Sequence, residues 1–256
     1  APTRVLYGGK MWPVAGGRTS VSGDSVFLAA PCAIEGELGE AAVATLPHRY
    51  PTKLAKLRKF GTYNVGWVGV RNEADGIAVI EWWREKCIEW CHDYVDGGRF
   101  ADQGYLDGFS SRSSRVKVIE NIGANLAPWN IGNYLIDFRD DRVWIDQSHP
   151  LIFFHFQGLK KALGWFIFNS HRSYRAPFSE QVRNRIYKPY VNEMLEIEEA
   201  IHPVLQLSDA KPHRRSAIVD VRQYLKSKVR DVGGRVFQLL DIVTGRAFFI
   251  FRGIAH

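Results

Sequence analysis

The sequence has few cysteines, few methionines and no long apolar run. Three cysteines in 256 residues are an odd number in a long chain, which excludes a disulfide framework and points to a reducing compartment. The longest apolar runs, such as ALGWFIF at 162–168, fall far short of the ~18–20 residues that cross a bilayer. The N-terminus lacks the charged-then-apolar pattern of a signal peptide, so the expected location is the cytoplasm. There is no internal repeat. No recognised RNA- or DNA-binding motif is present either, so nucleic acid is not an expected partner. Cys87, Cys91 and His92 have no second Cys/His pair at finger-like spacing. They are expected to be buried thiols on an apolar helix face rather than metal ligands.

What is present is enough to build a core. Hydrophobic residues make up 46% of the chain and aromatic residues 13%, which suits one large globular domain or a domain with an appendage. Charge is uneven. Residues 156–256 hold 17 Lys and Arg against 9 Asp and Glu, whereas residues 1–155 hold 17 against 18. The basic part interleaves cations with aromatics in HRSYRAPFSEQVRNRIYKPY (171–190), followed by DAKPHRR and YLKSKVR. Such a pattern reads either as a solvated helical face or as a surface for anionic lipid headgroups, phosphates or a substrate diphosphate.

Patterning along the chain predicts three regions. Residues 1–24 are glycine-rich and aperiodic, and a loose start is expected there. Residues 25–161 alternate short strand-like runs with one strong helix. AAVATL, YNVGWVGV, RVKVIE and PLIFFHF read as strands. NEADGIAVIEWWREKCIEWCHDY reads as a helix, capped by Asn72, with Glu73 and Asp75 in its first turn and apolar residues at 80, 83, 87, 90, 91 and 94. Its tryptophans are expected to anchor the core. Residues 162–256 read as a helical, basic C-terminal extension, whose last apolar stretch, RVFQLLDIVTGRAFFIFRG, would pack on the body or lie on a membrane surface. The expected fold class is α/β.

Three short segments place polar groups where a strand gives way to a loop, the usual ligand edge of an open α/β sheet. They are YNVG with Asn64 and Gly66, FADQGYLDGF with Asp102 and Gln103, and HFQGLKK with His155, Gly158, Lys160 and Lys161. Taken alone, His155 in its apolar run reads as a packed, hydrogen-bonded core residue. Asn64-Val65-Gly66, then Asp102-Gln103 with Leu106, then His155-x-x-Gly158-x-x-Lys161, resemble in order and spacing the retaining GT-A glycosyltransferases of the family-8 and glycogenin kind. LPHRYP, YNVGWVGVR, WWREKCIEWC, DQGYLD, NLAPWNI and HFQGLK further resemble bacterial nucleotide-diphospho-sugar transferases, over about residues 26–190.

The resemblance implies a GT-A-like sheet and transfer of a sugar, with retention, from a nucleotide-diphosphate donor to an unidentified acceptor, in surface-glycan or glycoconjugate synthesis. It implies a divalent metal, Mn²⁺ or Mg²⁺, held by Asp24 and His155. It makes Lys161 a diphosphate contact, Gly158 a point of close backbone approach, and Asn64, Gly66 and Asp102 part of the sugar-binding edge. Gln103 would stand near the anomeric carbon and act with Asp102 in catalysis. A peripheral contact with the inner membrane surface through the basic C-terminal part is also expected. One departure stands out: the Asp-x-Asp pair that holds the metal in such enzymes falls at Ser22-Gly23-Asp24, where only Asp24 is acidic. With 23 residues before it, the chain reads as lacking much of the first half of such a sheet, an N-terminally truncated form. The alternative is a catalytically impaired remnant that binds a partner or membrane.

Overall fold

The alternating residues of YNVGWVGVR show why a central strand forms here. Trp67 packs with Val21, Ile34, Leu46, Ile119 and Phe153 on one side, while Val68 packs with Val43, Val79, Leu106 and Phe109 on the other, the two-faced burial that a strand's period of two produces. The computed structural model describes residues 12–14, 17–162, 165–201, 247–251 and 254–255. They divide into two compact units. One runs to Gln157 and takes in Tyr174–Pro177; the other comprises Gly158–Ser173 and the chain from Phe178 onward.

In the first unit, β1 (Trp12–Val14), β2 (Gly17–Val21), β4 (Val43–Pro47), β5 (Tyr63–Arg71) and β6 (Val116–Val118) form one sheet in the order β1-β2-β5-β4-β6. Only the β4–β6 pair is parallel; the other neighbours run antiparallel. A two-stranded ladder joins β3 (Ser25–Phe27) to β10 (Phe153–His155). β7 (Ile136–Arg139), β8 (Arg142–Ile145) and β9 (His149–Pro150) form a small meander. Helix α1 (Cys32–Leu38) supplies Ile34 and Leu38 to the first face, and α2 (Ala74–Glu89) covers the second with Val79, Trp82 and Trp83.

The β4–β5 ladder is irregular where it matters. Thr45 pairs with Val68, but Leu46 pairs with Asn64, so Val65, Gly66 and Trp67 bulge out of the pairing. Gly66 and Trp67 turn instead toward β2: Val21 pairs with Trp67, and the Ser22 amide donates to the Gly66 carbonyl at 3.0 Å. Bulges commonly re-aim side chains beside functional sites.

In the second unit, β11 (Leu159–Ala162), β12 (Trp165–Phe168), β13 (Ala247–Phe251) and β14 (Ile254–Ala255) form an antiparallel sheet in chain order. Helix α3 (Asn169–Ser173) follows β12. Then α4 (Glu180–Val182), capped by the Ser179 hydroxyl accepting from the Val182 amide at 3.1 Å, continues through a π-helical turn, Arg183–Tyr187, into α5 (Lys188–Ile201). Phe168, His171, Phe178 and Tyr187 meet at centroid separations of 4.6–5.5 Å.

Several expectations need correction. The glycine-rich start is not wholly loose, since β2 is built into the main sheet through five residues paired with β5. The region after Lys161 does not turn directly to helix but first completes a β-hairpin. Part of the last apolar stretch is strand β13, paired with β12, while residues 235–246, and with them DAKPHRR and YLKSKVR, lie outside the described residues. Helix α2 starts at Ala74 with Glu73 at its cap and no side-chain capping bond, and it ends at Glu89 because Trp90 adopts extended backbone, φ −157° and ψ 122°. Cys91 is therefore exposed rather than buried, and Cys87 is half-buried. Among the described residues no helix is long and apolar enough to cross a membrane.

Candidate functional site

The bulge in β5 and the end of β10 bring together residues far apart in sequence. Asn64 stands where β4 and β5 part, His48 one residue beyond β4, Gln103 at the start of a 3-10 helix (Gln103–Ser111), and His155 at the end of β10. All four are buried. Asp24 occupies the turn between β2 and β3; its carbonyl accepts the Phe156 amide at 2.7 Å, and its neighbour Ser25 pairs with His155 across the ladder. These contacts fix Asp24 beside the imidazole.

Backbone groups determine the orientation of every amide in the resulting chain. Gln103 Nε2 donates to the Phe60 carbonyl at 2.8 Å, which leaves Oε1 to accept from the Val65 amide at 3.3 Å and from Asn64 Nδ2 at 3.0 Å. Asn64 Oδ1 accepts from the Gly66 amide at 3.0 Å. The same oxygen lies 3.2 Å from His155 Nδ1, so that nitrogen must carry a proton. The second N–H of Asn64 Nδ2 points to His48 Nε2 at 3.2 Å. His48 Nδ1 in turn donates to the Thr62 carbonyl at 3.2 Å, so His48 is a neutral imidazole with its proton on Nδ1. Burial is the main cause that lowers its pKa, to about 4, with the charge of His155 adding to it against the opposing bonds to Thr62 and Gly61. The His48 carbonyl is held by Trp129 Nε1 at 2.9 Å and Asn130 Nδ2 at 3.1 Å.

The outer end is different. His155 Nε2 faces Asp24 Oδ1 at 3.0 Å. With Nδ1 already protonated, a bare lone pair on Nε2 would repel that carboxylate, so the gap requires a second proton or a cation. Burial raises the Asp24 pKa, but its bond to His155, the His155 charge and the Ser22 hydroxyl outweigh it, and the net shift is downward. Ser22 Oγ donates to the same Asp24 oxygen, and the Asp24 side chain is 42% exposed. Trp129 closes one side of the site, its ring edge-on to His155 at 5.0 Å. Gly66 is required here: a Cβ would lie 2.7 Å from His155 Nδ1 and closer still to Asn64 Oδ1.

Of the residues expected at the site, Asp24, Asn64, Gly66, Gln103 and His155 meet. Asp102 is not part of this chain. Its carbonyl accepts from Trp83 Nε1 at 2.9 Å, and its carboxylate helps raise the Cys87 thiol pKa on the α2 side. The Gln103 amide is turned inward, because Phe60 offers it a buried acceptor. Gly158 and Lys161 belong to the second unit. Gly158 has φ +80°, and a Cβ there would collide with Ser170, which is reason enough for glycine. The Lys161 backbone pairs with Phe166, and its side chain lies outside the described residues. Ser22 stands, as the sequence places it, at the first position of the Asp-x-Asp pair, whereas His48, Trp129 and Asn130 were not singled out as site residues. The signal for His48 was a polar residue directly after an apolar strand.

Asp24 and His155 offer one hard oxygen and one imidazole nitrogen; among the described residues no cluster of three or more His, Cys, Asp or Glu is placed to hold a metal. The two fit adjacent positions on a Mg²⁺-like ion, since ligands at right angles with bonds of ~2.1 Å stand ~3 Å apart. Such an ion takes its remaining ligands from water and substrate phosphates.

No family model matches the chain. It is 34% identical over 171 residues to the uncharacterized Bacillus subtilis (strain 168) protein YfnD, covering 66% of this chain and 54% of that protein. It is 31% identical over 151 residues to YfnF of the same strain, covering 56% and 49%. The chain thus spans about half the length of the curated relatives it matches. Among solved structures it is similar to the galactosyltransferase LgtC in complex with donor and acceptor sugar analogs, at 14% identity and a TM-score of 0.36, covering 68% of this chain and 67% of that one. An active-site mutant of LgtC gives 12% identity and a TM-score of 0.35 over the same shares. These structural likenesses are too loose to place individual residues.

Proposed function

We propose that the chain carries the donor-side part of a retaining glycosyltransferase, which moves a sugar from a nucleotide-diphosphate donor to an acceptor. The observation that carries this reading is the convergence of Asp24, Asn64, Gln103 and His155, from four separate segments, on one polar chain that is saturated inside and open at a carboxylate outside. In this reading Asp24 and His155 hold Mn²⁺ or Mg²⁺. When bound, the ion neutralises charge that develops on the leaving diphosphate.

The protein's own residues do the rest by positioning. Asn64 keeps the proton on His155 Nδ1, so that Nε2 presents its lone pair outward, and Gln103 fixes Asn64 by tying it to the Phe60 carbonyl. Gln103 is therefore a positioning residue here. The part played by Gly158 and Lys161 rests on the sequence resemblance alone.

Ser22 favours a second reading, a module of the same fold that binds a partner or membrane without turnover, because a hydroxyl stands where a second carboxylate would strengthen the ion. Calorimetry with uridine diphosphate and Mn²⁺, followed by a donor-hydrolysis assay across uridine, guanosine and thymidine diphosphate sugars, separates the two. Metal-dependent diphosphate binding that is lost in His155→Ala supports the donor site, and hydrolysis supports turnover. Diphosphate binding that ignores both the metal and the substitution overturns the assignment.

A further inference from the structure

Between Glu40 and Glu73 the sequence has no acidic residue, and within that stretch TKLAKLRKF forms a 3-10 helix, Thr52–Phe60. Its three-residue bonds close at both ends, the Leu54 amide donating to the Pro51 carbonyl at 2.8 Å and the Gly61 amide to the Arg58 carbonyl at 2.9 Å. Three residues per turn stack the side chains in rows, and burial follows that period. Leu54 is buried and Leu57 and Phe60 are half-buried, while every residue of the other two rows is exposed. Leu54 and Leu57 pack with Tyr50 and Trp129. The outer rows are Lys53, Lys56 and Lys59, with Cα atoms about 6 Å apart along the axis, and beside them Thr52, Ala55 and Arg58.

The four cations of this face have no counter-charge. Among the described residues none of them forms an ion pair, whereas other cations of the first unit do, as in Lys86–Glu89, Arg99–Asp96 and Lys117–Glu37. Lys53 Nζ donates to the Arg175 carbonyl at 3.2 Å, and Lys59 Nζ lies 5.0 Å from the Phe60 ring centroid, contacts that leave both charges in place. Asp107, the carboxylate that meets the chain just after the helix, is taken by the Thr62 and Tyr63 amides. The helix is also tied to the candidate site at both ends. Leu54 shares an apolar cluster with Trp129, which stands edge-on to His155, and the Phe60 carbonyl holds Gln103.

We propose that the Lys53–Lys56–Lys59 row, with Arg58, is a binding surface for anionic lipid headgroups, which holds the first unit against a negatively charged bilayer with its candidate site in a fixed orientation. Like charges gathered on one helix repel one another, and a surface of lipid phosphates relieves that repulsion. Nucleic acid fits the face less well, because single strands are bound where cations accompany exposed rings on which bases stack. Here Tyr50 is stacked on His48, and Phe60 sits against Phe100 beside Lys59. The surface lies in the first unit, apart from the basic C-terminal part. It is independent of the donor-site reading, since lipid binding requires neither metal nor nucleotide.

The test is co-sedimentation of the full chain with vesicles of phosphatidylcholine and phosphatidylglycerol, against vesicles of phosphatidylcholine alone. Binding is expected only to the anionic vesicles and should fall as salt is raised. Lys56→Gln/Arg58→Gln/Lys59→Gln should weaken it by about a hundredfold, since each cation near an anionic bilayer contributes about fivefold. The urea midpoint should stay where it is, because all three side chains are exposed. Lys226→Gln/Lys228→Gln/Arg230→Gln removes the same charge elsewhere in the chain and should weaken binding far less. Equal binding to neutral vesicles, equal losses in the two triple variants, or tighter binding to a single-stranded oligonucleotide than to the anionic vesicles at matched phosphate concentration would each overturn the assignment.

Discussion

Asn64 serves two histidines, and they sit in opposite circumstances. On the inner side His48 has both nitrogens satisfied by neutral partners, a backbone carbonyl and an amide N–H, and burial holds it uncharged. On the outer side His155 receives one amide oxygen and then faces a carboxylate that is 42% exposed. A polar group with no capacity left over stabilises the fold, whereas one whose last partner is a solvent-facing charge can exchange that partner for a ligand. The inner end is accordingly a structural device and the outer end a binding one. Each statement can be broken by measurement.

The largest effect is expected at the shared residue. Asn64→Leu removes the acceptor for the Gly66 amide and for His155 Nδ1, and the donor to Gln103 Oε1 and to His48 Nε2, in a buried site. Unpaired buried polar groups are costly, and the loss should reach about 3–5 kcal/mol, read as a lower urea midpoint. A loss below ~1 kcal/mol would mean that the inner end is not saturated in solution.

A smaller effect follows from acid. His48 has a folded pKa of about 4 against an ordinary value of 6.5. The unfolded chain therefore binds the proton first. Stability is full above pH 6.5, falls as pH drops from 6.5 toward 4, and levels off below that, with a total of roughly 3 kcal/mol from this group. Asp24 acts in a lower window. Its pKa is depressed below 3.8, so its contribution is present above that value and is lost as pH falls through the folded one. Urea unfolding at pH values from 7 to 4, on the parent and on His48→Gln, should show the slope in the parent and a flatter line in the variant. Equal slopes would place the proton uptake elsewhere.

What could be read beforehand follows the same division. Strands β4, β5 and β6 were legible because β-branched and aromatic residues are concentrated there, and Asn64, Gln103 and His155 because their motifs keep order. Strand β2, GRTSV, has a single apolar residue and no alternation to read; pairing with β5 determines it. The β11 sequence LKKA is equally silent, because its backbone pairing with β12 defines it. The Gln103 orientation was out of reach for another reason: it depends on the Phe60 carbonyl, 43 residues earlier, and a motif carries no information about which way an amide turns. The bulge that aims Asn64 likewise arises from β5 having two partners with different registers.

The smallest change in stability is expected at Asp24, and it is the sharpest test of the comparison. Asp24→Asn keeps the side chain's size and an oxygen for Ser22 Oγ to donate to, but removes the charge facing His155. An ion pair with one partner this exposed contributes only about 0–1 kcal/mol, so the urea midpoint should move little. Mn²⁺ affinity, in contrast, should fall by roughly 10- to 100-fold, the range that accompanies altered groups around a bound metal, because the one hard anionic oxygen at the site is gone. Ser22→Asp should move affinity the other way, since it places a second carboxylate beside the first. Calorimetric titration of Mn²⁺ into the three proteins decides. If Asp24→Asn destabilises the fold as strongly as Asn64→Leu while Mn²⁺ binding is unchanged, the carboxylate is one more structural partner of His155, and the outer end differs from the inner end only in its exposure.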